Sequence, residues 1–231
     1  MTQTCCDILD ITPVTPVVYQ VRLKPQSPIT FQAGQYLLVH MGDEDKRPFS
    51  IASAVYENDE IELHIGADKS NKYAFEVLEL LQQRDNVEIS GGFGEAYLRT
   101  TERPSILVAG GTGFSYTYAI LKQALHDNPS ADITLYWGSR QQSDFYFLDT
   151  LRKLESEHRH FTFVPVVEHA DDSWKGRTGW VHKAVLADFP SLSGYHVYIA
   201  GRFEMAKTAR DDFFAKGLTE EALYGDAYAF I

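Results

Sequence analysis

Cysteine is nearly absent from this chain: its 231 residues hold two, Cys5 and Cys6, side by side. Consecutive strand residues point to opposite faces, so this pair makes a poor disulfide. The count leaves no room for a disulfide framework, a four-cysteine zinc site or an iron–sulfur cluster. The eight histidines contain no H-E-x-x-H pattern, and no metal site is expected. If the chain handles electrons, an organic cofactor must carry them. Long apolar runs are missing as well; none approaches the about 20 residues of a membrane-spanning helix. Met1–Asp10 has neither the basic nor the apolar region of a signal peptide. Basic residues are scarce: 21 Lys and Arg stand against 32 Asp and Glu, a net charge of −11. No basic run exceeds a pair such as Lys46-Arg47. Nucleic acids and anionic membranes need a basic surface, so neither is an expected partner. With 16 Gly, 9 Pro, 44% apolar and 23% charged residues, the composition is that of a globular protein. A cytoplasmic enzyme or binding protein of one large or two small domains is expected.

Two halves of the chain follow different rhythms. From Cys5 to Leu98 the pattern is short and strand-like. Val17, Tyr19, Val21 and Leu23 alternate with Val18, Gln20 and Arg22, Tyr36–Met41 is a denser apolar run, and Ile61, Leu63 and Ile65 alternate with Glu62 and His64. Turn residues at Pro25–Pro28, Ala33-Gly34, Gly42-Asp43 and Asn58-Asp59 give the spacing of a small antiparallel barrel. One helix interrupts it, capped by Ser70 or Asn71, with Tyr73, Val77, Leu78 and Leu81 as its buried stripe. After the polar segment Arg99–Pro104, strands at Ser105–Ala109, Ile133–Trp137, Phe161–Val167 and Val197–Ala200 alternate with helical stretches. The latter are Ser115–Leu125, Asp144–Glu157, Val181–Asp188 and Glu204–Lys216. That alternation predicts a parallel sheet with crossover helices. The fold class is therefore a two-domain β plus α/β protein, with an antiparallel barrel over 1–99 and a nucleotide-type α/β domain over 104–231.

The strand Ile106–Ala109 runs directly into Gly110-Gly111-Thr112-Gly113, then Phe114-Ser115 and a helix. Glycines at a strand-to-helix turn let backbone N–H groups approach an anion, and the helix N-terminus favours negative charge. A pyrophosphate, and hence a dinucleotide, fits; the sequence is neither G-x-G-x-x-G nor a P-loop with its Lys. A tight turn without ligand is the plainer alternative. The second parallel strand ends in Trp137-Gly138-Ser139-Arg140, at the carboxyl end where open sheets bind ligands. Arg140 there suits an adenosine 2′-phosphate with Ser139 as a second donor, or is simply a solvated charge. Ala200-Gly201-Arg202-Phe203-Glu204-Met205 repeats the device, with Gly201 expected to let a planar group pass close to the backbone.

In the barrel half, Arg47-Pro48-Phe49-Ser50 places a cation, an aromatic face and a hydroxyl within one segment, beside a proline that marks an edge. Together with Ala33–Tyr36, Glu62–Gly66, Gly94–Ala96, Ala109–Tyr116, Tyr136–Gly138, Ala200–Met205 and the ending Gly225–Ile231, this block resembles the ferredoxin reductase-like superfamily. Within that superfamily the chain resembles the short NAD(P)H-flavin oxidoreductases that supply free reduced flavin.

The resemblance implies a flavin-binding barrel packed on an NAD(P)-binding domain, with the isoalloxazine ring at the cleft. Arg47 would meet ribityl or phosphate oxygens, Phe49 would pack on the flavin beside Pro48, and Ser50 would hydrogen-bond near flavin N5. His64, Ile65 and Gly66 would line the other side of the ring, with Tyr73 nearby. Gly111, Thr112, Gly113, Phe114, Ser115, Arg140, Gly201, Arg202, Met205 and Tyr228 would serve the nucleotide. Ala200 replaces a cysteine of larger relatives, and the short connection from Ile65 to Asn71 lacks their loop for the adenosine half of FAD. That implies a flavin (FMN, FAD or riboflavin) that is released once reduced by NADH or NADPH, with a monooxygenase or luciferase among its possible consumers. Two other readings stay open: a reductase component with tightly held flavin that docks on an oxygenase, and a non-catalytic dinucleotide-sensing subunit.

Overall fold

The computed structural model describes every residue except Met1, Asn58 and Ser70. The caps and turns expected at Ser70 and Asn58 therefore lie outside the described residues. Two compact units are present: Met1–Leu98 with Tyr118–Gln123, and Arg99–Thr117 with Ala124–Ile231.

The first unit is a six-stranded antiparallel sheet. Its strands are β1 (Thr2–Pro13), β2 (Val18–Pro25), β3 (Tyr36–His40), β4 (Lys46–Ser50), β5 (Ile61–Gly66) and β6 (Asn86–Phe93), in the order β4-β3-β6-β1-β2-β5. The edge strands approach one another where the Ala52 amide donates to the Glu62 carbonyl at 2.8 Å. Inside lie Val21 and Leu23 of β2, Leu37 and Val39 of β3, Ile61, Leu63 and Ile65 of β5, and Val87 and Ile89 of β6. The helix α1 (Lys72–Gln82) adds Ala74, Val77, Leu78 and Leu81 to this core, and the Asn71 side chain caps it by accepting the Ala74 amide. Tyr73, expected on the buried stripe, is 47% exposed and Ala74 takes that place. β1 escaped the sequence reading because a bulge between Ile8 and Asp10 breaks its alternation.

The second unit is a parallel sheet of six strands. Its strands are β7 (Ser105–Gly110), β8 (Ile133–Ser139), β9 (Phe161–Val167), β10 (Arg177–Thr178), β11 (His196–Ala200) and β12 (Leu223–Tyr224), in the order β10-β9-β8-β7-β11-β12. The crossovers carry α2 (Phe114–Asp127), α3 (Leu148–Glu157), α4 (Val181–Asp188) and α5 (Phe203–Phe214). The chain leaves β7 towards β8 on one side and returns as β11 on the other, so the turn after β7 sits where the strand order reverses. That is the ligand-binding position of an open α/β sheet.

Two helices depart from expectation. The stretch from Asp144 divides into a 3-10 turn at Gln142–Asp144 and α3, because the Asp144 carboxylate turns back to accept the Gln141 amide. α5 starts at Phe203 and ends at Phe214. The two-residue strands β10 and β12 are too short to show a period. β10 reaches only Val166 and Val167 of β9. Beyond its reach, Glu155 of α3 accepts the Phe163 amide at 2.8 Å, Arg152 donates to the Phe163 carbonyl at 3.3 Å, and the two side chains pair at 2.7 Å. Among the described residues no helix is long and apolar enough to cross a membrane.

His182 on α4 is 2% exposed; neither ring nitrogen has a hydrogen bond among the described residues, though Nε2 lies 3.4 Å from the Asp212 carboxylate. Burial, and secondarily the neighbouring Lys183, hold its pKa below the usual 6.5, against a raising pull from Asp212. The unfolded chain therefore binds the proton more readily than the folded one. The stability tied to neutral His182 is complete above about pH 6.5 and is lost as pH falls through the lower folded-state value. Denaturant titrations between pH 5 and 7.5 should show this loss, and His182→Leu should flatten the dependence; an equal slope in the variant rules His182 out as its source.

Candidate functional site

The glycine turn after β7 is built by close packing within the second unit. Gly113 has φ −57°, and a Cβ there would lie 2.4 Å from the Ala200 carbonyl oxygen. Glycine is needed there because the first turn of α2 is seated on the end of β11. The positive φ belongs to Gly111, at +55°, where a Cβ would meet nothing within 4 Å. Open space at a left-handed position is what a ligand approaching the backbone requires. The Trp137 indole donates to the Gly111 carbonyl at 3.0 Å, and its ring stacks on Phe114 at 3.8 Å and 9°. Trp137 and Phe114 therefore hold the turn, and Phe114 is wholly buried rather than open to a ligand. The Ser115 hydroxyl donates to the Thr112 carbonyl at 3.0 Å.

Gly201 does not leave a gap for a planar ring. A Cβ on it would lie 2.4 Å from Met205 Cε, and one on Gly110 2.7 Å from Met205 Sδ. The thioether fills the space between the two glycines, which corrects the expected role of Gly201. Arg202 caps the start of α5 through its backbone and is exposed. The Tyr228 hydroxyl donates to the Ala206 carbonyl at 3.1 Å.

At the end of β8 the Arg140 side chain is exposed and has no partner among the described residues. Ser139, expected to assist it, donates its hydroxyl to the Gln141 carbonyl at 2.7 Å. Close by opens a cleft of about 580 Å³ at the carboxyl ends of β8 and β9, lined by Gln141, Ser143, Val167, His169 and Trp174 among others.

In the first unit, β4 alternates: Arg47 and Phe49 face one way, Pro48 and Ser50 the other. Phe49 packs against the barrel core. Arg47 is buried and fully engaged. It meets both Asp45 oxygens, pairs with Glu76 at 2.8 Å, and donates to the Tyr73 carbonyl at 2.6 Å. Its guanidinium lies 4.7 Å from the Tyr73 ring centre. The hydrogen bond to Asp45 raises its pKa despite the opposing effect of burial, with Glu76 adding to the rise. The cation expected to meet ligand oxygens is thus neutralised inside the protein. The Ser50 hydroxyl, by contrast, has no hydrogen-bond partner among the described residues and is partly exposed.

His64 is likewise engaged inside the first unit. Its side chain is fully buried, bonded to Glu62 at 2.6 Å and stacked against Tyr118 at 6.3 Å. Burial pushes Glu62 up, but the hydrogen bond and charge of His64, helped by Lys122, leave it below the usual carboxylate range. The His64 side chain thus holds β5 in place, while Ile65 belongs to the core.

Comparison with known proteins settles the family. Over 98% of both chains, this protein is 46% identical to an NAD(P)H-flavin reductase of Vibrio harveyi. The identity and coverage are the same for an NAD(P)H-flavin reductase of Aliivibrio fischeri. The chain belongs to the NAD(P)H-flavin reductase family. Residues 107–211 also match the oxidoreductase NAD-binding domain. Among solved structures, an Amycolatopsis cytochrome P450 reductase superposes with a TM-score of 0.89 at 26% identity, over 97% of this chain and 69% of that one. A ferredoxin NADP+ reductase of Neisseria gonorrhoeae with bound FAD and NADP shares the fold, with a TM-score of 0.81 at 19% identity over 96% and 97% of the chains. The expected ferredoxin reductase-like fold of a barrel followed by an α/β domain is thereby borne out.

Sequence reasoning missed Asp45 and Glu76 around Arg47, and the half-buried Asp226 beyond β12. Each is an ordinary acid in the sequence, and only the packing gives it a role. Gly113→Val should unfold or strongly destabilise the second unit, since the side chain would enter the Ala200 carbonyl. Gly111→Ala should cost about 1–2 kcal/mol for its left-handed backbone and weaken nucleotide binding in a folded protein. Thermal melts and nucleotide titrations separate the two; a destabilised Gly111→Ala with unchanged nucleotide affinity excludes Gly111 from the site.

Proposed function

We propose that this chain is an NAD(P)H-dependent flavin reductase that treats FMN, FAD or riboflavin as a substrate and releases it reduced. The observation that carries this reading is the end-to-end match to the NAD(P)H-flavin reductases. The geometry supports it in both units. The open Gly111 turn at the start of α2 would receive the pyrophosphate, with Thr112 and Gly113 forming the rest of the loop. Arg140 and the cleft beside it would take the adenosine end. In the barrel unit, Ser50 and Pro48 would face the flavin, with the backbone of Ile65 and Gly66 as its neighbour. Arg47 and His64 are structural supports of these strands.

The nicotinamide supplies a hydride and the flavin takes it up at N5. That transfer needs the two rings held face to face with water kept away, and no strong acid or base. The residues match this need. Ser50 donates a hydrogen bond near N5 and O4, where charge develops, so its effect falls on the rate more than on binding. Release of the flavin is supported by the short connection from β5 at Gly66 to α1 at Lys72, which leaves little chain to grip a dinucleotide. Reduced flavin would then serve an acceptor such as a monooxygenase or luciferase, in the cytoplasm.

Purified protein given NADH or NADPH with each flavin should oxidise the nucleotide, and should lose any yellow colour on dialysis. Retained colour supports a tightly held flavin, and absence of nucleotide oxidation supports a sensing subunit. Ser50→Ala should lower turnover at saturating flavin by roughly a hundred-fold while shifting flavin affinity little; unchanged turnover removes Ser50 from the reaction. Both NADH and NADPH should be used. Arg140→Ala should raise the KM for NADPH several-fold, less so at higher salt, and leave that for NADH in place; equal shifts for both would make Arg140 a bystander.

A further inference from the structure

Asp226 has a position that the reading above does not use. β12 runs parallel to β11, with Val197 opposite Leu223 and Tyr198 opposite Tyr224. Gly225 continues this extended course level with Ile199, and at Asp226 the chain turns into a short 3-10 helix, Asp226–Ala229. Gly225 is indeed pressed on the Ile199 carbonyl, where a Cβ would lie 2.6 Å from the oxygen. Ala200 is the residue on whose carbonyl Gly113 is seated, and its partner in β7 is Ala109, just before the glycine turn. Asp226, one residue beyond Gly225, therefore stands past the carboxyl ends of β12 and β11, within electrostatic reach of Tyr116 at the start of α2.

Its carboxylate is half-buried and accepts no hydrogen bond among the described residues. Burial alone raises its pKa to about 6. Its charge is felt by Tyr116, on the first turns of α2, whose other charged or titratable neighbours are Tyr198 of β11, Tyr228 of the closing turn and Arg99 before β7. All three tyrosines are pushed up by burial, so of this group Asp226 is the one that changes charge near neutrality. An acid kept partly dry and unpaired is costly unless something bound beside it gains from the charge.

The ligand of the reductase reading changes charge in the required sense. In NAD(P)H + oxidised flavin + H⁺ → NAD(P)⁺ + reduced flavin, the nicotinamide ring loses a hydride and passes from neutral to cationic. We infer that the Asp226 carboxylate is the counter-charge of the oxidised nicotinamide ring, so that the protein favours NAD(P)⁺ over NAD(P)H when that carboxylate is ionised. The inference rests on the reductase reading, and it gives the same side chain two effects. It stabilises the charge developing during hydride loss, and it makes the oxidised nucleotide a stronger product inhibitor above pH 6 than below.

The test is a binding measurement on flavin-free protein. Dissociation constants for NAD⁺ and NADH are measured at pH 5.5 and pH 8. Pyrophosphate and adenosine contacts are common to both nucleotides and cancel in the ratio of the two constants. In the wild type, the preference for NAD⁺ relative to NADH should grow several-fold from pH 5.5 to pH 8. Asp226→Asn should show a ratio fixed near the low-pH value, and Asp226→Glu should restore the pH dependence. A pH-independent ratio in the wild type overturns the inference without recourse to any variant, as does an Asn variant that keeps the dependence. Protein that binds neither nucleotide overturns the reductase reading itself, and this inference with it.

Discussion

The seating of the first turn of α2 on the end of β11 is the constraint from which the nucleotide-binding end of the second unit follows. Gly113 presses on the Ala200 carbonyl, and Met205 fills the space between Gly110 and Gly201. A side chain at Gly113 would enter the Ala200 backbone, and one at Gly201 would meet the Met205 thioether. At Gly111, by contrast, the left-handed backbone faces free space. Trp137 fixes that geometry from the neighbouring strand through its bond to the Gly111 carbonyl. Neighbouring glycines thus do opposite things: Gly110, Gly113 and Gly201 admit other parts of the protein, and Gly111 faces open space.

The barrel shows a comparable division between residues that build and residues left available. Arg47 and Ser50 stand in one tetrapeptide, yet the alternation of β4 sends them to opposite faces. Arg47 is consumed by Asp45, Glu76 and the Tyr73 carbonyl, which ties β4 to α1. Burying a guanidinium is tolerable only because two carboxylates and a carbonyl compensate it. Ser50 has no hydrogen-bond partner among the described residues. His64 and Glu62 repeat the arrangement on β5, where a buried pair under Tyr118 fixes the strand.

Much of the architecture was legible in the sequence because its signals are periodic. The four longer parallel strands and the helices between them alternate clearly, and the change of rhythm near residue 100 separates the two kinds of sheet. β1 was not legible because its bulge shifts the alternation in mid-strand, and β10 and β12 are shorter than one period of evidence. At the site, sequence could mark Gly110–Gly113 as a turn, but the sign of φ at each glycine depends on what packs against it. It could likewise mark Arg47 and His64 as polar groups in a barrel. Whether such a group faces a ligand or a carboxylate depends on partners 29 residues away in the case of Glu76, or on an α2 residue, Tyr118, in the case of His64.

The ion pair between Arg152 and Glu155, which occupies the amide and carbonyl of Phe163, bears on how the molecule behaves among copies of itself. β9 would otherwise expose a length of backbone beyond β10 that a strand from another molecule could extend. With both groups already bonded to α3, an incoming strand would have to break two hydrogen bonds and separate two charges before gaining any of its own. The sheet is therefore closed to growth at that margin by side chains of its own helix, and the protein can be concentrated without that stretch of edge templating fibres.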